Sequence, residues 1–243
     1  MTTLPLVTCV SRPEVLAQRL LASPCVRAGR VAVTARTGCS SAAQAFNAAL
    51  AQTAATQGAA GGWLLWAHQD VFLPEGWRDR FLAALVAAEA QLGPLAVVGV
   101  YGVRGAGAQA VRAGHVLHRG ELLQENAALP CLVDSLDELL FAVRTDAGLG
   151  LDPALGFDFY ATDLVLQAQA RGLQCAVLDA CCEHWSDTPG RDVPQPVAER
   201  IMRSAAVFER KWQQRLPVST SCFNIDRPGD VRAFVTPLMA PAA

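Results

Sequence analysis

Three short polar clusters interrupt an otherwise apolar chain: His68-Gln69-Asp70, the stretch from Asp158 to Asp163, and Glu183-His184. A carboxylate and an imidazole supplied by separate segments can hold a hard or borderline divalent ion while leaving positions open for phosphate oxygens and water. Gathered by a fold, these clusters would suit a metal-assisted site that handles a diphosphate. Each also has a plainer reading. Asp70 before a helix can satisfy loop amides, Asp163 can be a first-turn acid favoured by the helix dipole, and His184 can be a packed, hydrogen-bonded histidine.

The eight cysteines are scattered through apolar segments of a chain long enough to build a core without staples. They read as reduced, mostly buried residues. No C-x-x-C occurs, which argues against a zinc ribbon or thioredoxin-like site, although Cys181, Cys182 and His184 lie close enough together to raise the question of a metal.

The elements that must position these clusters alternate. Leu4 to Val10 and Arg30 to Thr34 read as strands, each followed by a helical pattern, with Ser40-Ser41 at the N-cap of the second helix. WLLWAHQDV reads as a buried third strand ending in polar residues. A long helix opens at Pro74-Glu75-Gly76 and stops at Gly93-Pro94, and LAVVGVYGV reads as a fourth strand. Continuously apolar strands alternating with helices predict a single α/β domain with a mostly parallel central sheet flanked by helices, its ligands at the strand carboxyl ends. The Gly-rich segment from Gly102 to Leu132, around RAGHVLHRGELL, breaks the rhythm and reads as an inserted hairpin or loop. LVDSLDELLFAV resumes a strand pattern, a loop, a helix and a further strand reach His184, and a helical extension begins at about residue 194.

With 52% hydrophobic residues, 17% charged ones and a net charge of -2, the chain has material for a core and no global pull toward nucleic acid or an anionic membrane. No apolar run is long enough to span a bilayer, and MTTLPLVTCVSRPEV lacks the features of a secretory signal. A cytoplasmic protein acting on a small molecule is the expectation, with self-association left open. Neither a G-x-G-x-x-G nor a G-x-x-x-x-G-K-[ST] loop is present, which disfavours dinucleotide and P-loop enzymes.

WLLWAHQDVFLPEGW resembles the strand and loop of family 2-type, GT-A-fold (Rossmann-like) glycosyltransferases, in which an acid-rich tripeptide closes a hydrophobic strand and a helix start follows. More specifically, it is similar to a glycosyltransferase-like subgroup with His-Gln-Asp at that place. LDPALGFDFYATDLVLQAQARGLQCAVLDACCEHWS is similar to the family's later segment ending in a histidine, and SAAQAFNAAL resembles a helix whose Asn lies near the nucleotide-sugar pocket. The resemblance runs from about Arg30 to Ser186. It implies transfer of a sugar from a nucleoside diphosphate to an acceptor hydroxyl (of a glycan, lipid or protein), with inversion and with Mn2+ or Mg2+.

Carried over by position, the resemblance makes Asp70 and His184 metal ligands and Asp163 the general base. Asn47, with His68 and Gln69, would line the donor pocket, and Ser11 and Arg12 would approach the nucleotide. Trp185 and Asp158 would shape the acceptor side, and a lid would fall near Asp187 to Pro194. Two departures stand out: His68 replaces the first acid of the tripeptide, and Thr34-Ala35-Arg36-Thr37 follows the second strand where the family usually places an acid that reads the nucleobase. They support an alternative reading, a catalytically inactive GT-A-like domain that only binds a nucleotide sugar or a protein.

Overall fold

Leu4–Val10 (β1) and Val31–Thr37 (β2) pair in parallel, and Trp63–Ala67 (β3) pairs in parallel with the other edge of β1. These are short apolar runs whose alternate residues face opposite sides of a sheet. Leu6 and Leu65 enter one core cluster, while Val7, Leu64 and Trp66 enter the other. The computed structural model describes residues 3–57, 62–186 and 193–239. The expected lid therefore lies largely outside the described residues, as does most of the glycine-rich stretch before β3.

Helices cover both faces. Ala42–Gln57 (α3) starts where Ser40 and Ser41 stand: the Gln44 backbone N–H donates to Ser41 Oγ at 3.2 Å, and the Gln44 side chain accepts from the Ser40 N–H at 2.9 Å. Its Phe46 packs on the face that carries Trp66, together with Tyr160 and Leu164 of helix α5, Tyr160–Ala170. Trp77–Leu92 (α4) lays Trp77, Phe81 and Leu85 on the opposite face, with the short helices Pro13–Gln18 (α1) and Pro24–Arg27 (α2) beside it.

The central sheet is mixed. Its order is β2-β1-β3-β11-β5-β12-β9, with Leu95–Gly99 (β5), Cys131–Leu132 (β9), Leu140–Arg144 (β11) and Gln174–Val177 (β12) completing it. Strands β1, β2, β3, β5 and β12 run in one direction, β11 runs antiparallel to both β3 and β5, and β9 antiparallel to β12. No crossover helix joins β5 to β11, and only such a crossover obliges a returning strand to run parallel. The intervening chain instead forms Tyr101–Arg104 (β6), Val111–His118 (β7), Glu121–Gln124 (β8) and Ser135–Leu136 (β10). The inserted hairpin is β7–β8, turned at Arg119 and Gly120 with φ of 54° and 88°.

A second sheet, β10-β6-β7-β13-β4, adds Val71–Phe72 (β4) and Cys182–His184 (β13). After residue 193 come Gln195–Lys211 (α6), the small pair Val218–Ser219 (β14) and Asn224–Ile225 (β15), and Asp230–Val235 (α7). They build a third apolar cluster with Leu155, Phe159 and Leu166. Among the described residues no helix is long and apolar enough to cross a membrane.

Candidate functional site

Strands β1, β2 and β3 run in one direction, so the residues that follow them emerge at one edge of the sheet. There a cavity of about 690 Å3 opens. Its wall takes Cys9, Val10 and Ser11 from β1 and just beyond it, Gly38 and Cys39 from the loop after β2, and Trp66, His68, Gln69 and Asp70 from β3 and the loop after it. Phe157 and Tyr160 from the start of α5, His184 and Ser186 from the end of β13, and Arg200 from α6 close the other side.

Strand pairing brings His184 to Asp70. β13 runs antiparallel to β4 with His184 opposite Val71, and the Trp185 N–H donates to the Asp70 carbonyl at 3.1 Å. On its other side β13 runs parallel to β7 with His184 opposite His118. One ligand atom each from His68, Asp70 and His184 lies within 4.8 Å of the others. Asp70 Oδ1 and His184 Nε2 stand 3.5 Å apart, both buried, and neither has a hydrogen-bond partner. Unsatisfied buried polar atoms are rare because each carries a desolvation cost. Two together, in this pairing, are what a bound cation would satisfy.

The electrostatics agree with a carboxylate flanked by imidazoles. Burial opposes ionisation of Asp70, but His184 and His68 outweigh it and hold the carboxyl below its ordinary range. Burial likewise opposes the His184 imidazolium, yet Asp70 raises its pKa on balance. His68 is pushed down by burial and then by the charge of His184. His118, whose ring lies 5.3 Å from that of His184, is lowered by burial and by His184.

Of the residues singled out from the sequence, Ser11, His68, Gln69, Asp70 and His184 meet at this cavity. Arg12 adjoins it through its backbone N–H, which donates to Gln69. Asp158 stands behind the wall, its carboxylate held by Arg200 Nε and Nη2 at 3.0 and 2.9 Å and by Ser204 Oγ at 3.1 Å.

Three others are engaged elsewhere. Asn47 makes a reciprocal pair of bonds with the Leu151 backbone, at 2.8 and 2.9 Å, and so fastens α3 to the segment before α5. The Trp185 indole donates to Glu183 at 3.1 Å and lies 4.0 Å beneath the Arg19 guanidinium. Asp163 has no exposed surface, and its carboxylate is saturated by Lys211 Nζ at 2.7 Å, Trp212 Nε1 at 2.8 Å and Gln167 Nε2 at 2.7 Å. That network fastens α5 to the end of α6 and keeps Asp163 out of the cavity wall.

Sequence reasoning passed over Tyr160, Arg200, His118 and Glu138. His118 carried a signal, an in-line histidine on the hairpin strand, but only the β7–β13 register shows what it faces. Glu138 lies at the same sheet edge because the antiparallel β11 begins there, and the His68 N–H donates to the neighbouring Leu139 carbonyl. Its carboxyl is deeply buried, and burial, then the charges of Asp158 and Asp137, push its pKa well up.

These features define a mixed α/β domain with a cavity, lined in part by His68, Asp70 and His184, at the carboxyl ends of strands β1, β2 and β3. No protein-family model matches the chain. It is similar to a protein of Fuscovulum blasticum described as ATP synthase subunits region ORF 6, 27% identical over 161 residues. The match covers 63% of this chain and 61% of that protein, so the chain spans about three fifths of its relative's length.

Proposed function

We propose that the cavity binds a nucleoside-diphosphate sugar with a divalent cation and transfers the sugar to an acceptor hydroxyl, in the manner of a GT-A-fold, family 2-type glycosyltransferase. The observation that carries this reading is the pair Asp70 Oδ1 and His184 Nε2, buried side by side without hydrogen-bond partners at the wall of a cavity large enough for a nucleotide. Asp70 and His184 hold the cation. When bound, it neutralises the diphosphate and stabilises the charge that develops on it as the sugar leaves.

The chain's own groups do the rest. Ser11 and Gln69 form the rim against which the nucleotide lies, and Arg200 faces the anion from α6. Both carboxylate oxygens of Asp163 are taken up, by Lys211 and Trp212 and by Gln167, and Asp158 is likewise held by Arg200 and Ser204 behind the cavity wall, so neither acid accepts the acceptor's proton without giving up a partner.

The engagement of Asp163 favours a second reading, a domain that binds a nucleotide sugar or a partner protein without turning it over. Thermal unfolding with a panel of nucleoside diphosphates, with and without Mn2+, tests both. A ligand at about 100 times its dissociation constant stabilises the folded state by about 2.7 kcal/mol. Stabilisation that needs the metal, together with transfer from the matching sugar donor, supports the enzyme. Stabilisation without transfer from any donor supports the binding domain, and no stabilisation by any nucleotide defeats both nucleotide readings.

A further inference from the structure

We infer that His68 is a third ligand of this cation, that Tyr160 sets the tautomer in which it binds, and that the resulting two-imidazole, one-carboxylate set selects a borderline transition-metal ion over Mg2+. The inference rests on the reading of the Asp70–His184 pair as a cation site. It concerns which ion is held and by how many residues, not what is done with the nucleotide.

The first support is composition. His68, Asp70 and His184 each offer one atom within 4.8 Å of the others, at the wall of one cavity. Magnesium prefers carboxylate and water oxygens in a nearly octahedral shell and parts with its waters reluctantly. Imidazole nitrogens favour ions such as Fe2+, Co2+ and Zn2+, and two imidazoles with one carboxylate leave positions open for further ligands. A single carboxylate beside two histidines is a poor magnesium site and a good one for these ions.

The second support is the hydrogen-bond chain behind His68. Its Nε2 lies 2.8 Å from the Tyr160 hydroxyl. The same hydroxyl oxygen accepts from the Trp66 indole N–H at 3.2 Å, and the Glu138 carbonyl lies within its donating reach at 3.5 Å. We assign the hydroxyl proton to that carbonyl, which makes the phenol oxygen the acceptor toward His68 and puts the imidazole proton on Nε2. Nδ1 then has a free lone pair, the form a metal requires. Tyr160 is fully buried, its ring set edge-on against Trp66, so the hydroxyl has a fixed place. Tyr160 is thus a positioning residue that acts through His68.

The test uses metal alone, without nucleotide. Calorimetric titration of the metal-free full chain with Co2+ and with Mg2+ should show one Co2+ per chain, bound at least tenfold more tightly than Mg2+, with the visible absorption of a nitrogen-ligated cobalt centre. His68→Ala should weaken Co2+ binding at least tenfold and move the absorption band. Tyr160→Phe keeps the ring and should still fold cooperatively, with a metal-free melting temperature a few degrees below that of the parent, while Co2+ affinity falls about 10- to 100-fold. Mg2+ binding as tight as Co2+, Co2+ binding unchanged in His68→Ala, or no binding of either ion overturns the inference. A nucleoside diphosphate arm keeps the two readings apart. Mg2+-supported nucleotide binding that ignores His68→Ala sinks the ligand assignment and leaves the donor site standing. Intact Co2+ binding with no nucleotide affinity does the reverse.

Discussion

Gln69 is fastened to Ser11 across the mouth of the cavity. Its side-chain carbonyl accepts from the backbone N–H groups of Ser11 at 3.1 Å and Arg12 at 3.0 Å, and its amide donates to Ser11 Oγ at 2.9 Å. The middle residue of His68-Gln69-Asp70 therefore fixes the loop after β3 to the end of β1 and aims its two neighbours. Gln69→Ala should cost about 1–2 kcal/mol, since these are neutral and partly exposed bonds. For a chain of this size that lowers the melting temperature by about 2–4 °C per kcal/mol. Differential scanning fluorimetry checks it, and an unchanged melting temperature would show the tie to be incidental.

Asp70→Ala should abolish the metal-dependent part of any nucleotide-induced stabilisation and also lower the melting temperature of the metal-free protein near neutral pH, because the ionised carboxylate is favoured by His184 and His68. It removes the carboxylate that faces His184 at 3.5 Å, so the folded state loses an ion partner as well as a ligand. Paired melting curves with and without Mn2+ and nucleotide separate the two effects.

Asp163→Asn should act on stability first. The carboxylate is buried and bonded to Lys211, so breaking the pair approaches the lower end of the roughly 3–5 kcal/mol seen for buried ion pairs, Lys211 being partly exposed. Urea unfolding measures the loss. A variant of parental stability that had lost sugar transfer would restore Asp163 as a catalytic base.

Glu138 should make the protein less stable as pH rises. Its folded-state pKa is raised, so the protonated form is favoured in the native state. That contribution is fully present below the unfolded value of about 4.3 and is lost as pH climbs through the folded pKa. Glu138→Gln should melt close to the parent near pH 4 and progressively above it toward pH 8. Parallel pH profiles that never diverge would remove Glu138 as the cause.

All eight cysteines are free. Denatured protein should therefore titrate for eight thiols. In the native state labelling of Cys9 and Cys175 near neutral pH should be slow, because burial pushes both up to about 12 and leaves little thiolate to react. Rapid native labelling of Cys175 would contradict its placement in the core.

What the sequence disclosed were the features written in local pattern. The apolar runs of β1, β3 and β5, the Ser40-Ser41 start of α3 and the hairpin at Arg119-Gly120 could be read because turn chemistry and hydrophobic runs are local properties. Of the expected gathering of Asp70, Asp163 and His184 at one edge, Asp70 and His184 meet, with His68, because they lie at or between strand ends, whereas Asp163 turns to α6. The antiparallel entry of β11 could not be read, since its residues are as apolar as those of a parallel neighbour, and direction depends on the path of the chain between. Asp163 misled for a related reason. A first-turn acid looks the same whether it faces a cavity or, as here, Lys211 and Trp212 from a helix some 50 residues later.

The segment after residue 193 bears on where this protein can be cut. Helix α6 supplies Lys211 to Asp163 and both Arg200 and Ser204 to Asp158, and the α6–α7 cluster covers Leu155 and Phe159. A chain ended before α6 would keep every strand of the central sheet yet bare an apolar patch around two acids stripped of their partners. Such a fragment would be an aggregating remnant and not a minimal domain. The extension works as a keystone, so the whole described chain should melt in one cooperative step.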